Sequence, residues 1–115
     1  MHIRTIYFKV MEIGPSRAFW AEFLAIAPHK DFEGWCEFMV GDVRLALLPL
    51  EKFEGGGGCV PVFELPDRDA VRDRAASAIG LGAQVHLDNL DDPDSSSIAL
   101  LDPAGNQFEL TNFHD

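Results

Sequence analysis

The sequence repeats one order of elements on either side of a run of four glycines, residues 55–58. In the first half, a strand-forming stretch at residues 2–10 is followed by an amphipathic helix and three short strand-forming segments. The helix is expected to run to about Ala27 with Phe19 and Phe23 in the core, and Gly41 suits a tight turn between two of the segments. In the second half, a strand (VPVFEL), a helix capped by Asp67 and three further segments repeat that order, and the last two segments are joined by a turn in which Gly105 is left-handed. We therefore expect one α+β domain built from two βαβββ modules, residues 1–54 and 59–115, joined by a glycine linker.

Composition sets the size of the domain and the kind of partner it can take. A chain of 115 residues that is 47% hydrophobic can bury one core, and it is too short for a second domain. Its formal net charge of -10 repels phosphate backbones and anionic lipid, so neither nucleic acid nor a membrane surface is an expected partner. A small organic molecule that is apolar or cationic is an easier ligand.

The cysteines and the amino terminus bear on the compartment. Cys36 and Cys59 form no CxxC pair, so we expect free and mostly buried thiols. No signal peptide pattern and no run of about 18 apolar residues is visible. These features predict a cytoplasmic protein.

Three stretches carry a family resemblance. SRAFWAEFLA after the first strand, VFELPDRDAVRDRA in the middle and LDPAGNQFEL near the end resemble the vicinal oxygen chelate superfamily, which includes glyoxalases, bleomycin-resistance proteins and extradiol dioxygenases. The resemblance covers nearly the whole chain, and its most specific part is the DPxGNxxEL ending. It implies a curled mixed sheet around a cleft, with the helices on the outer face, and a homodimer.

The resemblance also implies four inward-facing strand positions that hold a divalent metal in many members. Here they fall on Thr5, Ala46, Val60 and Glu109, and only Glu109 keeps a residue type that binds metal. None of the four histidines is placed to replace the missing ligands. We therefore expect no metal and no other cofactor.

Strand alternation predicts which side chains line the cleft. Glu109 is either a general base, the counter-ion of a cationic ligand, or an inherited ligand position that is now simply hydrated. Around it we expect aromatic, acidic and small side chains, with Glu37 and Glu64 adding negative potential beside Tyr7 and Trp35, and such a lining suits a planar or cationic molecule. The expected lining comprises Thr5, Tyr7, Lys9, Trp35, Glu37, Met39, Arg44, Ala46, Val60, Val62, Glu64, Glu109 and Thr111.

Three functions follow from these observations. The leading hypothesis is a dimeric, metal-independent protein that binds or sequesters a small molecule, like the drug-binding branch of the family. The alternatives are a metal-dependent lyase, isomerase or dioxygenase, and a non-catalytic interaction module whose cleft is closed by its own side chains.

Overall fold

The computed structural model describes residues 1, 3–49 and 59–112. The elements of the first module are β1 (Thr5–Val10), α1 (Ile13–Leu24), β2 (Lys30–Phe32), β3 (Trp35–Val40) and β4 (Val43–Pro49). Those of the second are β5 (Val62–Glu64), α2 (Arg68–Gly80), β6 (Gln84–Asn89), β7 (Ser97–Leu101) and β8 (Gln107–Thr111). The prediction of two tandem βαβββ modules is confirmed, whereas the expected glycine linker at residues 55–58 lies outside the described residues.

Each module forms its own four-stranded mixed sheet. The strand orders are β1-β4-β3-β2 and β5-β8-β7-β6, and the first strand of each module runs parallel to the last. The remaining pairs are antiparallel, and β3 and β4 are joined by a tight hairpin in which Gly41 has φ +61°. A left-handed residue at that position is costly for any side chain with a Cβ, which explains the glycine.

The helices begin and end where local chemistry requires. The Asp67 carboxylate accepts a hydrogen bond from the Ala70 N–H (2.8 Å), which confirms it as the cap of α2. The first helix was expected to continue to about Ala27, but it ends at Leu24. Ala25 adopts a left-handed conformation (φ 57°), and its N–H and that of Ile26 bond back to carbonyls of the last turn. This closure ends α1 before Pro28.

One hydrophobic core spans both modules. Trp20 of α1 is fully buried and stacks on Phe8 of β1, with ring centroids 5.5 Å apart. The same indole meets Phe108 of β8 edge-on at 4.9 Å. Phe19 and Phe23 complete the aromatic cluster, which confirms the expected core role of these helix residues. The buried side of α2 belongs to the same core, so both helices cover one side of the two sheets.

The DPAGN turn joins the modules through a buried carboxylate. Asp102 Oδ1 accepts hydrogen bonds from the N–H groups of Ala104 (3.0 Å) and Asn106 (2.7 Å), while Oδ2 accepts one from Trp20 Nε1 (3.1 Å). Gly105 takes the left-handed position, at φ +89°. Burial raises the pKa of Asp102, and these hydrogen bonds oppose the rise.

The two sheets meet where β1 and β5 lie at their edges, a boundary that we call the seam. The Asn106 side-chain amide donates to the Lys9 carbonyl (3.1 Å), which ties the start of β8 to the end of β1. Ile6 of β1 and Val62 of β5 line a common cavity of about 200 Å³ at this boundary. The modules are thus in direct side-by-side contact.

The two thiols differ in exposure. Cys36 is buried, as expected, and burial raises its pKa to about 11, with Asp31 adding to the rise and Arg17 opposing it. Cys59 is exposed, so the expectation of a buried thiol is wrong there. It precedes β5.

Within residues 1, 3–49 and 59–112, no helix is long and apolar enough to cross a membrane.

Candidate ligand-binding face

The candidate site is the side of the two sheets that faces away from the helices. Because side chains alternate along a strand, the residues between the core positions Phe8 and Val10, or Phe108 and Leu110, point to this side. We call it the open face. From the first module it carries Thr5, Tyr7, Lys9, Trp35, Glu37, Met39, Arg44 and Ala46, and from the second Val62, Glu64, Ala99, Glu109 and Thr111.

Glu37 is the centre of the first-module half of this face. Its side chain is 1% exposed, and Oε1 accepts a hydrogen bond from Trp35 Nε1 (3.0 Å). Oε2 lies 3.4 Å from Arg44 Nε and 3.8 Å from His29 Nε2, but it has no hydrogen-bond partner among the described residues. A buried carboxylate with one unmatched oxygen is costly, so this position calls for a partner.

Although Glu37 Oε2 lacks a hydrogen bond, the negative charge of this carboxylate is already paired with the Arg44 guanidinium. We expected this carboxylate to add negative potential beside Tyr7 and Trp35, but the Arg44 guanidinium opposes that potential. The two aromatic rings lie 6.3 Å apart at 52°, so they form one wall next to the ion pair. Tyr7 remains half exposed, at 50%, and offers its ring to a ligand.

Glu109 is the centre of the second-module half. It lies opposite Val62 on β5 and Ala99 on β7, and its side chain is half buried. Among the described residues it makes no side-chain hydrogen bond or ion pair. Val62 beside it is 55% exposed. Glu109 thus offers an uncommitted carboxylate next to apolar surface.

The four positions that the family uses for metal do not form a ligand set here. Ala46 pairs with Tyr7, Thr5 pairs with Arg44, and Val60 precedes β5, which is shorter than expected. They present a methyl, a hydroxyl and an isopropyl group beside the single carboxylate of Glu109. A transition metal needs about four nitrogen, oxygen or sulfur ligands, so these residues do not fit one. In the part of the chain that the structure describes, no three His, Cys, Asp or Glu side chains cluster as potential ligands.

Two expected lining residues lie at one end of the open face. Met39 is opposite Arg44, and Glu64 is opposite Thr111, so strand register places both on this face. Both also border a cavity of about 290 Å³ that Phe23 and Arg74 help to line. They therefore lie away from the centre of the open face.

Sequence reasoning missed the partners that organise the site. His29 lies in the loop before β2, yet its backbone N–H donates to the Glu37 carbonyl (2.6 Å) and its ring approaches the carboxylate. The ion pair between Glu37 and Arg44 spans two strands. Alternation placed both residues on one face, but pairing between charged neighbours depends on the strand register, which the sequence did not give.

Fold and site together define a protein of the vicinal oxygen chelate type. Residues 5–111 match a family model described as a glyoxalase-like domain, and the chain belongs to this family. No curated protein sequence matches the chain.

Solved structures agree on the fold. A glyoxalase-related enzyme from Fulvimarina pelagi superposes with a TM-score of 0.86 at 14% identity, covering 96% of this chain and 87% of that one. A glyoxalase/bleomycin resistance protein/dioxygenase family enzyme from Burkholderia phytofirmans PsJN gives 0.84 at 15% identity, with 96% and 98% covered. The fosfomycin resistance protein FosX of Listeria monocytogenes, an E126Q mutant in complex with Mn(II), gives 0.79 at 13%, with 99% and 90% covered.

Proposed function

We propose that this protein binds a small apolar or cationic organic molecule on the open face without a metal. The observation that carries this proposal is the Glu109 carboxylate, which is half buried, uncommitted to any described side chain and flanked by exposed Val62. A carboxylate in a partly dehydrated site attracts a cation or a hydrogen-bond donor more strongly than one in water.

The seam supplies the apolar part of this site. Tyr7 and Val62 belong to the two strands that flank it, and both side chains are at least half exposed. Ala46, one strand out from β1, and Ala99, two strands out from β5, are small and buried. A planar ring system that covered this strip would bury apolar area against Tyr7 and leave its polar end beside Glu109.

The missing metal ligands favour ligand binding over metal-dependent catalysis as the function of this protein. Thr5, Ala46 and Val60 leave Glu109 without partners for a transition metal. The metal-dependent enzyme therefore ranks second. In an interaction module with a closed cleft, Tyr7 and Val62 would be covered, but both are exposed in the single chain.

The first test is a titration with 4-biphenylmethylammonium, a flat apolar cation, followed by calorimetry. Glu109→Gln should weaken binding by about 1–3 kcal/mol, because the ligand cation loses its opposite charge. Glu22→Gln, the same change at an exposed position of α1, is the matched control and should leave binding unchanged.

Thr5→Trp in the same titration tests the location independently of charge. An indole at Thr5 would stand beside Tyr7 on β1 and obstruct the face. Unchanged affinity in both Glu109→Gln and Thr5→Trp would place the ligand elsewhere.

We also propose that the protein is a homodimer. In the described chain, β6 is an edge strand whose six residues are all exposed, with Val85 at 49% and Leu87 at 56%. Exposed apolar edge strands are usually covered by a partner. Sedimentation equilibrium at tens of micromolar protein should give the mass of two chains, and Leu87→Lys should weaken association at least about tenfold.

The helix variant Ile79→Lys serves as the control for that experiment. It also introduces a lysine at an exposed apolar side chain (46%), but on α2, so it should leave the dimer intact. A wild-type monomer would contradict this assembly.

The cytoplasmic location stays a prediction.

A further inference from the structure

The first-module half of the open face is richer in cations than in anions. Lys30 pairs with Glu37 across β2 and β3, and Lys9 shares the face with Tyr7 on β1. Both lysines are exposed. Among the described residues, Lys9, Lys30 and Arg44 thus share the first-module half with the Glu37 carboxylate, whereas the second-module half carries Glu109.

Arg44 is the cation best prepared to bind a ligand. Its Nε is buried beside Glu37 Oε2, and neither atom has a hydrogen-bond partner in the described chain. The Arg44 side chain is 26% exposed, and among the described residues Nε is its only nitrogen that is buried without a hydrogen-bond partner. The two terminal nitrogens donate no hydrogen bond to any described residue. Glu37 itself is held by Trp35. The guanidinium is thus ion-paired at one end, while its terminal donors bond to no residue that the structure describes.

A guanidinium held in this way suits one chemical group in particular. Its planar pair of N–H donors matches the two oxygens of a carboxylate, which an ammonium such as that of Lys9 cannot match. Fixing the side chain before binding also lowers the entropy that must be lost on binding. The Tyr7 and Trp35 rings beside it would contact an aromatic body attached to that carboxylate.

We infer that Arg44 binds the carboxylate of an aromatic ligand whose body extends across the seam towards Glu109. This inference rests on the proposed function and deepens it, because a ligand with an acidic end at Arg44 and a basic end at Glu109 is zwitterionic. The two residues lie on β4 and β8, in different sheets, with the edge strands β1 and β5 between them. The two charged groups therefore belong at opposite ends of an elongated body.

The experiment compares three probes with one body: 4-biphenylcarboxylate, 4-biphenylmethylammonium and 4′-aminomethyl-4-biphenylcarboxylate. The zwitterion should bind wild-type protein most tightly. Arg44→Gln should weaken both carboxylate-bearing probes by about tenfold or more and leave the ammonium probe as tight or tighter. Arg44→Lys keeps the charge but loses the paired donors, so it should restore only part of the carboxylate affinity.

Lys9→Gln is the matched control, because it removes the same charge from the same face. It should weaken the carboxylate probes by no more than about threefold, as expected for an exposed charge. Equal losses in Lys9→Gln and Arg44→Gln, or a loss in Arg44→Gln that is the same for all three probes, would overturn the role of Arg44. If only the ammonium probe binds, and Glu109→Gln weakens it, the inference fails while the proposed function stands. If none of the three probes binds, both fail.

Discussion

Replacing Asp102 by asparagine is expected to lower the free energy of unfolding by about 1–3 kcal/mol. Asparagine can still accept the turn hydrogen bonds from Ala104 and Asn106 through its oxygen. Its amide NH2 would then face the Trp20 N–H, and two buried donors would meet without an acceptor. Chemical denaturation of the wild type and the variant measures the difference.

The control for this change is Asp92→Asn. Asp92 also accepts backbone N–H bonds in a turn, from Asp94 (2.8 Å) and Ser95 (3.3 Å), but it is exposed and contacts no indole. Its replacement should change stability by less than about 0.5 kcal/mol. Equal effects at Asp92 and Asp102 would show that the bond to Trp20 does not hold the two modules together.

The pH dependence gives a second measure of the same carboxyl group. Because burial raises the pKa of Asp102, the native chain binds this proton more tightly than the unfolded chain does. The stability that this contributes is complete below the unfolded Asp pKa of about 3.9 and is lost as the pH rises through the folded pKa. Asp102→Asn lacks this dependence, so the gap between the wild type and the variant should be wider in acid than at neutral pH.

The purified protein is expected to retain no stoichiometric transition metal after dialysis. Glu109 is the single metal-binding residue type among the four family positions, and one carboxylate does not hold a transition metal. Elemental analysis measures the metal content per chain. One zinc, nickel, iron or manganese ion per chain in the wild type, lost in Glu109→Gln, would contradict the proposal and favour the enzyme reading.

Most of the fold was predictable because its signals are local. Alternating residues indicated the strands, Asp67 indicated the start of α2, and the glycines at positions 41 and 105 indicated turns that the structure confirms. The end of α1 was not predictable, because a left-handed alanine at position 25 has no marker in the sequence. Element order and turn chemistry thus determined the architecture, but not every boundary.

The residues that share the open face were predictable from the sequence, but their electrostatics were not. Alternation placed Tyr7, Glu37 and Arg44 on one face, and the structure agrees. Whether Glu37 acts as a free negative charge depends on a contact of 3.4 Å across two strands, and its unmatched oxygen depends on how neighbouring side chains bury it. Such facts arise from register and packing, which no single stretch of sequence encodes.

The central claim is that the open face binds an organic ligand without a metal. Its most direct test is calorimetric titration of 4-biphenylmethylammonium into wild-type protein before and after exhaustive treatment with a chelator. The account predicts the same affinity in both titrations, and at least about fivefold weaker binding to Glu109→Gln. Binding that disappears on chelation and returns when manganese, zinc or nickel is added would contradict it.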